Sequence, residues 1–331
     1  MRIFSFDPAE HRDRYAEQGW VHIRGGVDPD FLAELREFVE RREGHHVEGR
    51  GIGGKKAQAL YEFPSETDFP GELFDTIASV CGLDRDTMTL SERHLKAYDA
   101  DAPADVPAHK DRFASLVSVG LSIDIPAESR LLLYPEHDRG VNPYNVSGAL
   151  RERLEPDRLP EVVLKEAAPV EIDDEGGDVV MFPGSDVWHV RQNQADARNL
   201  YLKFNDFDCD PLGEDPSTPE RRERTLGSLE LGDQELAGQV PVQGRRLDCL
   251  TRQHSRDGGP EVVWASVWDE TPVVLSPVEL AVVGSARYGL ALAGMAEELA
   301  AGDHGRDEVV AAVRRLGRRG VLDLLAPERT G

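Results

Sequence analysis

The sequence predicts an α+β protein with a mainly β core, a barrel or sandwich, preceded by helices and followed by a helical C-terminal part. Three observations predict it. Between residues 89 and 207 lies a series of short segments rich in Val, Leu, Ile and aromatic residues, with turn signals between them. The chain before them is helical in period with one short strand, and the chain after them returns to helical period. At 331 residues there is room for one large domain or two ordinary ones.

The opening reads as helix, strand, helix. "DPAEHRDRYAEQGW" starts with Asp7 as N-cap and Pro8 at the first helical position, and Gly19 ends it. "WVHIRG" is a short strand. "DPDFLAELREFVERRE" repeats the Asp-Pro start at Asp28 and Pro29, and Phe31, Leu32, Leu35, Phe38 and Val39 form its apolar face. Residues 44–68, rich in Gly, Lys and His, read as a mobile loop or lid, with His45 and His46 in solvent. Arg50, Lys55 and Lys56 on it are candidates to meet a substrate anion. A helix near 70–82 precedes the strands "TLSERHLKAY", "ASLVSVGLSIDI", "SRLLLYP", "APVEID", "GDVVMFP", "DVWHVRQN" and "RNLYLKFNDF". A long insert, 136–162, separates two of them and is expected to border the site. Beyond a linker-like stretch, "GPEVVWASVWDETPVVLSPVE" suggests a hairpin, then two or three helices and a final short strand. The expected domains are 1–210 and 211–331.

The 62 acidic residues outnumber the 38 basic ones, and the net charge of −24 argues against nucleic acid as a bulk partner. Arg314, Arg315, Arg318 and Arg319 form a local basic cluster, read as a solvated helical face. No apolar run is long enough to span a bilayer, and the N-terminus lacks an apolar signal core. Cys81, Cys209 and Cys249 have no metal-site spacing. A cytoplasmic protein with reduced thiols is the expectation.

The candidate chemistry starts in "PAHKDRFASL". On an extended chain residues i and i+2 point to one face, so His109 and Asp111 can reach one point. Imidazole and carboxylate together suit iron, whereas a solvated polar cluster is the bland alternative. "EGGDVVMFPGSDVWHVRQNQADARNLYLKF" supplies a third ligand, His189, at the entry to a strand. Two His and one carboxylate on one face of an octahedron leave positions for substrate and oxygen. A 2-oxoacid cosubstrate then needs a cation for its far carboxylate, and Arg198 suits it. If the strands holding His189 and Arg198 are antiparallel neighbours, both lie inside the barrel. Arg191 and Lys203 are competing cations.

The stretches "YAEQGWVHIRGGVDPDFLAELREFVE", "HKD", "LLLYPEHDRG" and "GDVVMFPGSDVWHVRQNQADARNLYLKF" resemble the phytanoyl-CoA dioxygenase branch of the Fe(II)/2-oxoglutarate oxygenases, over residues 10–207. The resemblance implies a double-stranded β-helix (a jelly-roll, cupin-like core), Fe(II), 2-oxoglutarate and O2, with release of succinate and CO2. It implies His109, Asp111 and His189 as iron ligands and Arg198 as the anchor of the distal carboxylate. The family's Arg-x-Ser is here Arg198-Asn199-Leu200, so the hydroxyl partner would be Tyr98 or Ser118. The family's Pro-Gly-Ser-His stretch is replaced by Tyr134-Pro135-Glu136-His137, so His137 is not expected to be a ligand. An iron-facing Asp111 argues against halogenation. The expected activity is hydroxylation of a small molecule, amino acid or carrier-bound intermediate. The alternative is a catalytically silent metal-binding or peptide-recognition protein. The C-terminal part is similar to small winged-helix modules of the PqqD-like kind, with a homodimer contact as one role.

Overall fold

The computed structural model describes residues 1–42, 56–146, 148–254, 261–268 and 270–327. They divide into two compact units, Met1–Asp208 and Cys209–Gly331. In the first unit the elements are α1 (Ala9–Gln18), β1 (Val21–Ile23), α2 (Pro29–Arg42), β2 (Lys56–Leu60), α3 (Phe69–Cys81), β3 (Thr89–Tyr98), β4 (Val117–Asp124) and β5 (Arg130–Tyr134). Two short helices, α4 (Ala149–Arg153) and α5 (Pro160–Val163), follow, with a 3-10 turn between them. Then come β6 (Val170–Ile172), β7 (Val179–Phe182), β8 (Trp188–Gln192) and β9 (Arg198–Asn205).

The strands form two antiparallel sheets. The larger runs β1-β7-β4-β9-β3-β2 and the smaller β6-β5-β8. From β3 onward the chain passes repeatedly from one sheet to the other, as in a jelly roll. All seven segments read as strands from residue 89 onward are strands. The helices end where left-handed glycines permit: Gly19 has φ 76° and Gly82 has φ 72°. One difference concerns the expected lid. Its residues 43–55, with His45, His46, Arg50 and Lys55, lie outside the described residues. Residues 56–60 are not loop but β2, which pairs in register with β3 from Lys56↔Tyr98 to Leu60↔His94.

The larger sheet buries both faces. One packs against the helices: Leu200, Leu202 and Phe204 of β9 and Val117, Val119 and Leu121 of β4 join Phe31, Leu35, Leu73 and Ile77. The other faces the smaller sheet. Val180 and Phe182 meet Leu131, Leu133 and Ile172 there, and this interior is apolar at one side only.

The second unit holds α6 (Ser217–Leu229), α7 (Asp233–Leu236), β10 (Val240–Gln243), β11 (Leu247–Gln253), β12 (Val262–Val267), β13 (Val273–Leu275), α8 (Pro277–Ser285), α9 (Leu292–Ala300), α10 (Arg306–Arg318) and β14 (Leu322–Leu325). The predicted hairpin is β12–β13. Ser276 and Glu279 make a capping box at the start of α8. The basic cluster of α10 is engaged within its own unit. Arg314 donates to Leu231 O at 2.8 Å and Asp233 at 2.9 Å, Arg315 pairs with Glu279, Arg318 lies 3.7 Å from Glu230, and Arg319 donates to Thr271 O at 3.0 Å.

Asp210 is fully buried and accepts hydrogen bonds from Glu214 N, Asp215 N and Thr218 Oγ1. Burial outweighs these bonds and, with Asp215 nearby, pushes its carboxyl up to about 6. The folded-state value exceeds the unfolded one, so the folded state binds more protons between about pH 4 and 6. This group's contribution to stability therefore grows as pH falls through that window and is lost as pH rises. Asp210→Asn removes the titration. The melting-temperature difference between wild type and variant is expected to change across that window and to be flat above it. Parallel profiles throughout would contradict the assignment.

Candidate metal centre

His109 and His189 face each other across a β-bridge, each N–H donating to the other's carbonyl at 2.9 Å. This pairing fixes the two rings with centroids 4.4 Å apart. His189 Nδ1 lies 2.9 Å from Val187 O, a contact it can make only as a donor. Nε2 is then the ring nitrogen that faces the cluster, 3.5 Å from Asp111 Oδ2. The Phe182 ring packs edge-on against His189 at 4.7 Å.

Asp111 is held at both backbone and side chain. Its N–H donates to Gly184 O at 2.8 Å, and its carbonyl accepts from Asn142 Nδ2 at 2.9 Å. Its Oδ2 accepts from Ser118 Oγ at 2.5 Å and from the Lys203 ammonium, while Oδ1 lies 4.0 Å from His109 Nε2. Burial alone would raise this carboxyl. Lys203, His189 and His109 outweigh burial and hold it well below the usual carboxylate range. One ligand atom from each of His109, Asp111 and His189 lies within 4.8 Å of the others, the only such three-residue group among the described residues. The His109 side chain is 60% exposed and that of His189 only 7%, so the cluster is open on the His109 side.

Two imidazoles and an ionised carboxylate are a donor set suited to a divalent transition metal, with room for further ligands. The residues present therefore fit the iron that the sequence suggested. His137 sits in the turn after β5 and is not part of the cluster. The insert 136–162 buttresses the ligand loop. Besides Asn142, Tyr144 O accepts from Phe113 N at 2.9 Å and Asn145 Oδ1 accepts from Ala114 N at 3.0 Å.

The other expected residues divide. Ser118 is in the cluster, between Asp111 and Lys203. Tyr98 ends β3 and pairs in register with Lys56 of β2, and burial pushes its phenol up to about 12. β8 and β9 are not neighbours but belong to different sheets. Arg198 also has the strand parity of Leu200 and Leu202, which face the helices. It pairs there with Asp124 at 3.6 Å, away from the roll's interior. The interior positions of β9 are Asn199, Tyr201 and Lys203. They are matched on β3 by Lys96, His94 and Glu92, and on β4 by Ser122, Gly120 and Ser118. Glu92, buried, is held well below the usual range because Lys96, Arg112 and His94 overcome its burial. Gly120 leaves the space that the Tyr201 ring fills: a Cβ there would meet Tyr201 Cε1 at 3.3 Å.

Gly184 lets the ligand loop close. A Cβ built on it would fall 1.8 Å from Ser118 Oγ, 2.9 Å from Ser118 Cβ and 2.6 Å from Asp111 Oδ2. Rotating Ser118 cannot relieve the second contact. Gly184→Ala is expected to displace Asp111 and to weaken divalent-metal affinity by at least about tenfold, which is ~1.4 kcal/mol. Isothermal titration with Co(II) measures this, and an unchanged affinity would refute the close approach. Alanine at His137 is expected to leave that affinity unchanged.

No family model matches the sequence, and no curated protein matches it. Solved structures do align with it. The non-heme alpha ketoglutarate dependent epimerase SnoN from nogalamycin biosynthesis is 17% identical over 60% of this chain and 82% of its own, with a TM-score of 0.43. The carbocyclase SnoK from the same biosynthesis is 17% identical over 59% of this chain and 83% of its own, with a TM-score of 0.45. A Pseudomonas putida prolyl-4-hydroxylase is 16% identical over 60% of this chain and 97% of its own, with a TM-score of 0.39. Likeness at this level carries no functional argument.

Proposed function

We propose that the N-terminal unit is an Fe(II)/2-oxoglutarate-dependent oxygenase acting on a small molecule or a carrier-bound intermediate. The observation that carries the reading is the open, buried-edge cluster of His109, Asp111 and His189. Bound iron would supply the redox chemistry that couples 2-oxoglutarate decarboxylation and O2 to substrate oxidation. The chain's own residues do the rest. Val187 O fixes the His189 tautomer, so that Nε2 faces the cluster. Ser118 and Lys203 keep Asp111 ionised and oriented. The polar interior, with Lys96, Arg191 and Lys203, favours an anionic cosubstrate. Hydroxylation is the outcome we favour, because a carboxylate ligand leaves no space for a halide. The C-terminal unit is an accessory module, and a homodimer contact is its proposed role.

One observation favours a second reading. The Lys203 ammonium hydrogen-bonds Asp111 directly and compensates its charge without any metal. A catalytically silent member of the fold would keep such a pair.

Turnover decides between them. The purified chain, given Fe(II), 2-oxoglutarate and ascorbate in air without substrate, is expected to release succinate slowly, and Asp111→Ala to abolish this release. A wild type that neither takes up Fe(II) nor releases succinate would leave the silent reading standing.

A further inference from the structure

The second unit holds a sheet with an open edge. The strands run β11-β12-β13, so β11 has a strand neighbour on one side only among the described residues. Parity divides its side chains between the two faces. Leu250 stands opposite Ala265 and Arg252 opposite Val263, and both of these belong to the apolar core shared with α8, α9 and α10. Leu250 and Arg252 therefore point to the helix-covered face. Leu247, opposite Val267, points there too and packs against the core. Yet Leu250 is 43% exposed, whereas Ala265 beside it is 0% exposed. The helix layer stops short of β11 and leaves an apolar side chain uncovered on the core side of the sheet.

A free edge is a template for another strand, and proteins commonly guard it with charges that an added strand would bury, or with a bulge. β11 carries both: Asp248, Arg252 and a register shift between Leu247 and Cys249. These charges reject most strands but not a second β11, because they are placed symmetrically. In "LDCLTRQ" Asp248 lies two residues before Leu250 and Arg252 two residues after it. Two copies laid antiparallel about Leu250 set Asp248 of each opposite Arg252 of the other, and Leu250 opposite Leu250. Opposite charges directly across a ladder stabilise it, and like charges there destabilise it. Neighbouring registers that keep the faces matched lose this pattern. Centring the pair on Cys249 sets Leu250 against Asp248, and centring it on Thr251 sets Leu250 against Arg252. Arg252 already meets Glu261 of its own hairpin at 3.1 Å, and a guanidinium can serve a second carboxylate.

We propose that β11 is the seam of a two-fold dimer, in which the free edges of two copies of this chain pair antiparallel about Leu250. The proposal rests on the reading of the C-terminal unit as a homodimer contact and gives that contact its site and register. One sheet then runs through both copies, with the helices of both on one side. The two Leu250 side chains meet where the helix layers end, and each covers the other. Because each copy offers the same edge, the contact is used up by one partner and stops at two copies.

Sedimentation equilibrium of the full chain over a range of concentrations is expected to show a monomer–dimer equilibrium. Asp248→Arg and Arg252→Asp each set like charges opposite one another twice, and each is expected to weaken the dimer at least about tenfold. An equal mixture of the two variants restores both opposite-charge pairs, so dimers are expected to return to within about threefold of the wild-type affinity. Mixing cannot repair damage to a variant's own hairpin, which separates a lost seam from a damaged fold. The exposed Cys249 reads the register in wild type. In this register Cys249 of one copy lies diagonally across from Cys249 of the other, about 7–8 Å away. A bismaleimide of that span is expected to join the two, with the linked peptide identified by mass spectrometry. A dimer that survives both single substitutions, that mixing fails to restore, or whose Cys249 residues do not cross-link would overturn the seam and leave the homodimer role to another surface. A wild type that stays monomeric at every concentration would overturn both, and leave the edge to an extended segment of a different protein.

Discussion

A carboxylate taken out of water must be compensated, or it binds a proton instead. Asp111 is compensated from three directions that the fold brings together: Ser118 from β4, Lys203 from β9 and His189 from β8. The first two belong to the larger sheet and the third to the smaller. The ionised Asp111 is thus a tie between the sheets, and it forms only if the roll closes in this register. Shifting β9 by one residue would replace Lys203 with Leu202 or Phe204 and leave the carboxylate among apolar atoms. Gly184 belongs to the same constraint, because only a residue without Cβ lets the turn after β7 approach Asp111 and Ser118 so closely.

The larger sheet does two jobs through strand parity. Odd and even residues of β9 face opposite ways, so one strand carries Leu200, Leu202 and Phe204 to the helices and Asn199, Tyr201 and Lys203 to the interior. β3 divides in the same manner, with Glu92, His94 and Lys96 inward and Leu95 outward. The helix-covered face supplies apolar burial, the dominant favourable contribution to folding. That leaves the inner face of these strands free to hold buried charge, which contributes little to stability and costs much if left unpaired. The apolar half of the interior, around Leu131, Leu133, Val180 and Phe182, then limits water at His189, against which the Phe182 ring packs edge-on.

Much of this was legible in the sequence. The strand series and its bounding turns, the helix-ending glycines and the His109–Asp111 spacing each reflect local chemistry, and the structure brings His189 to both. The placement of Arg198 is also local in origin. "RNLYLKFN" alternates strictly, and its apolar positions have the parity of Arg198, so the alternation alone assigns that guanidinium to the helix side. Sequence proximity to His189 was the weaker guide, because the loop between them crosses from one sheet to the other. "SERHLKAY" carried a similar unread signal, with Glu92, His94, Lys96 and Tyr98 at every second position. A charged stripe on a strand usually marks a solvated face. Nothing local tells a solvated stripe from an interior one, since that depends on β9 pairing with β3 across more than a hundred residues. The Arg191–Asp174 pair has the same non-local origin, joining β8 to the turn that follows β6.

The contact between Lys203 and Asp111 bears on how one interior serves both stability and chemistry. The two carboxylate oxygens are not equivalent. Oδ2 carries Ser118 and Lys203, whereas Oδ1 is turned towards the more exposed His109. A metal held there would have Oδ1 and His109 on its open side, with Lys203 on Oδ2. His189 Nε2 lies 3.5 Å from Oδ2, so a metal held by all three residues would share that oxygen with the Lys203 ammonium. The Tyr201 ring lies 5.2 Å from Lys203 Nζ and adds a cation–π contact to that ammonium. Lys203 keeps the carboxylate ionised without a metal, and a bound metal would compensate the same charge. A ligand that must be deprotonated to bind metal gains from this arrangement, because no proton has to be removed when the ion arrives.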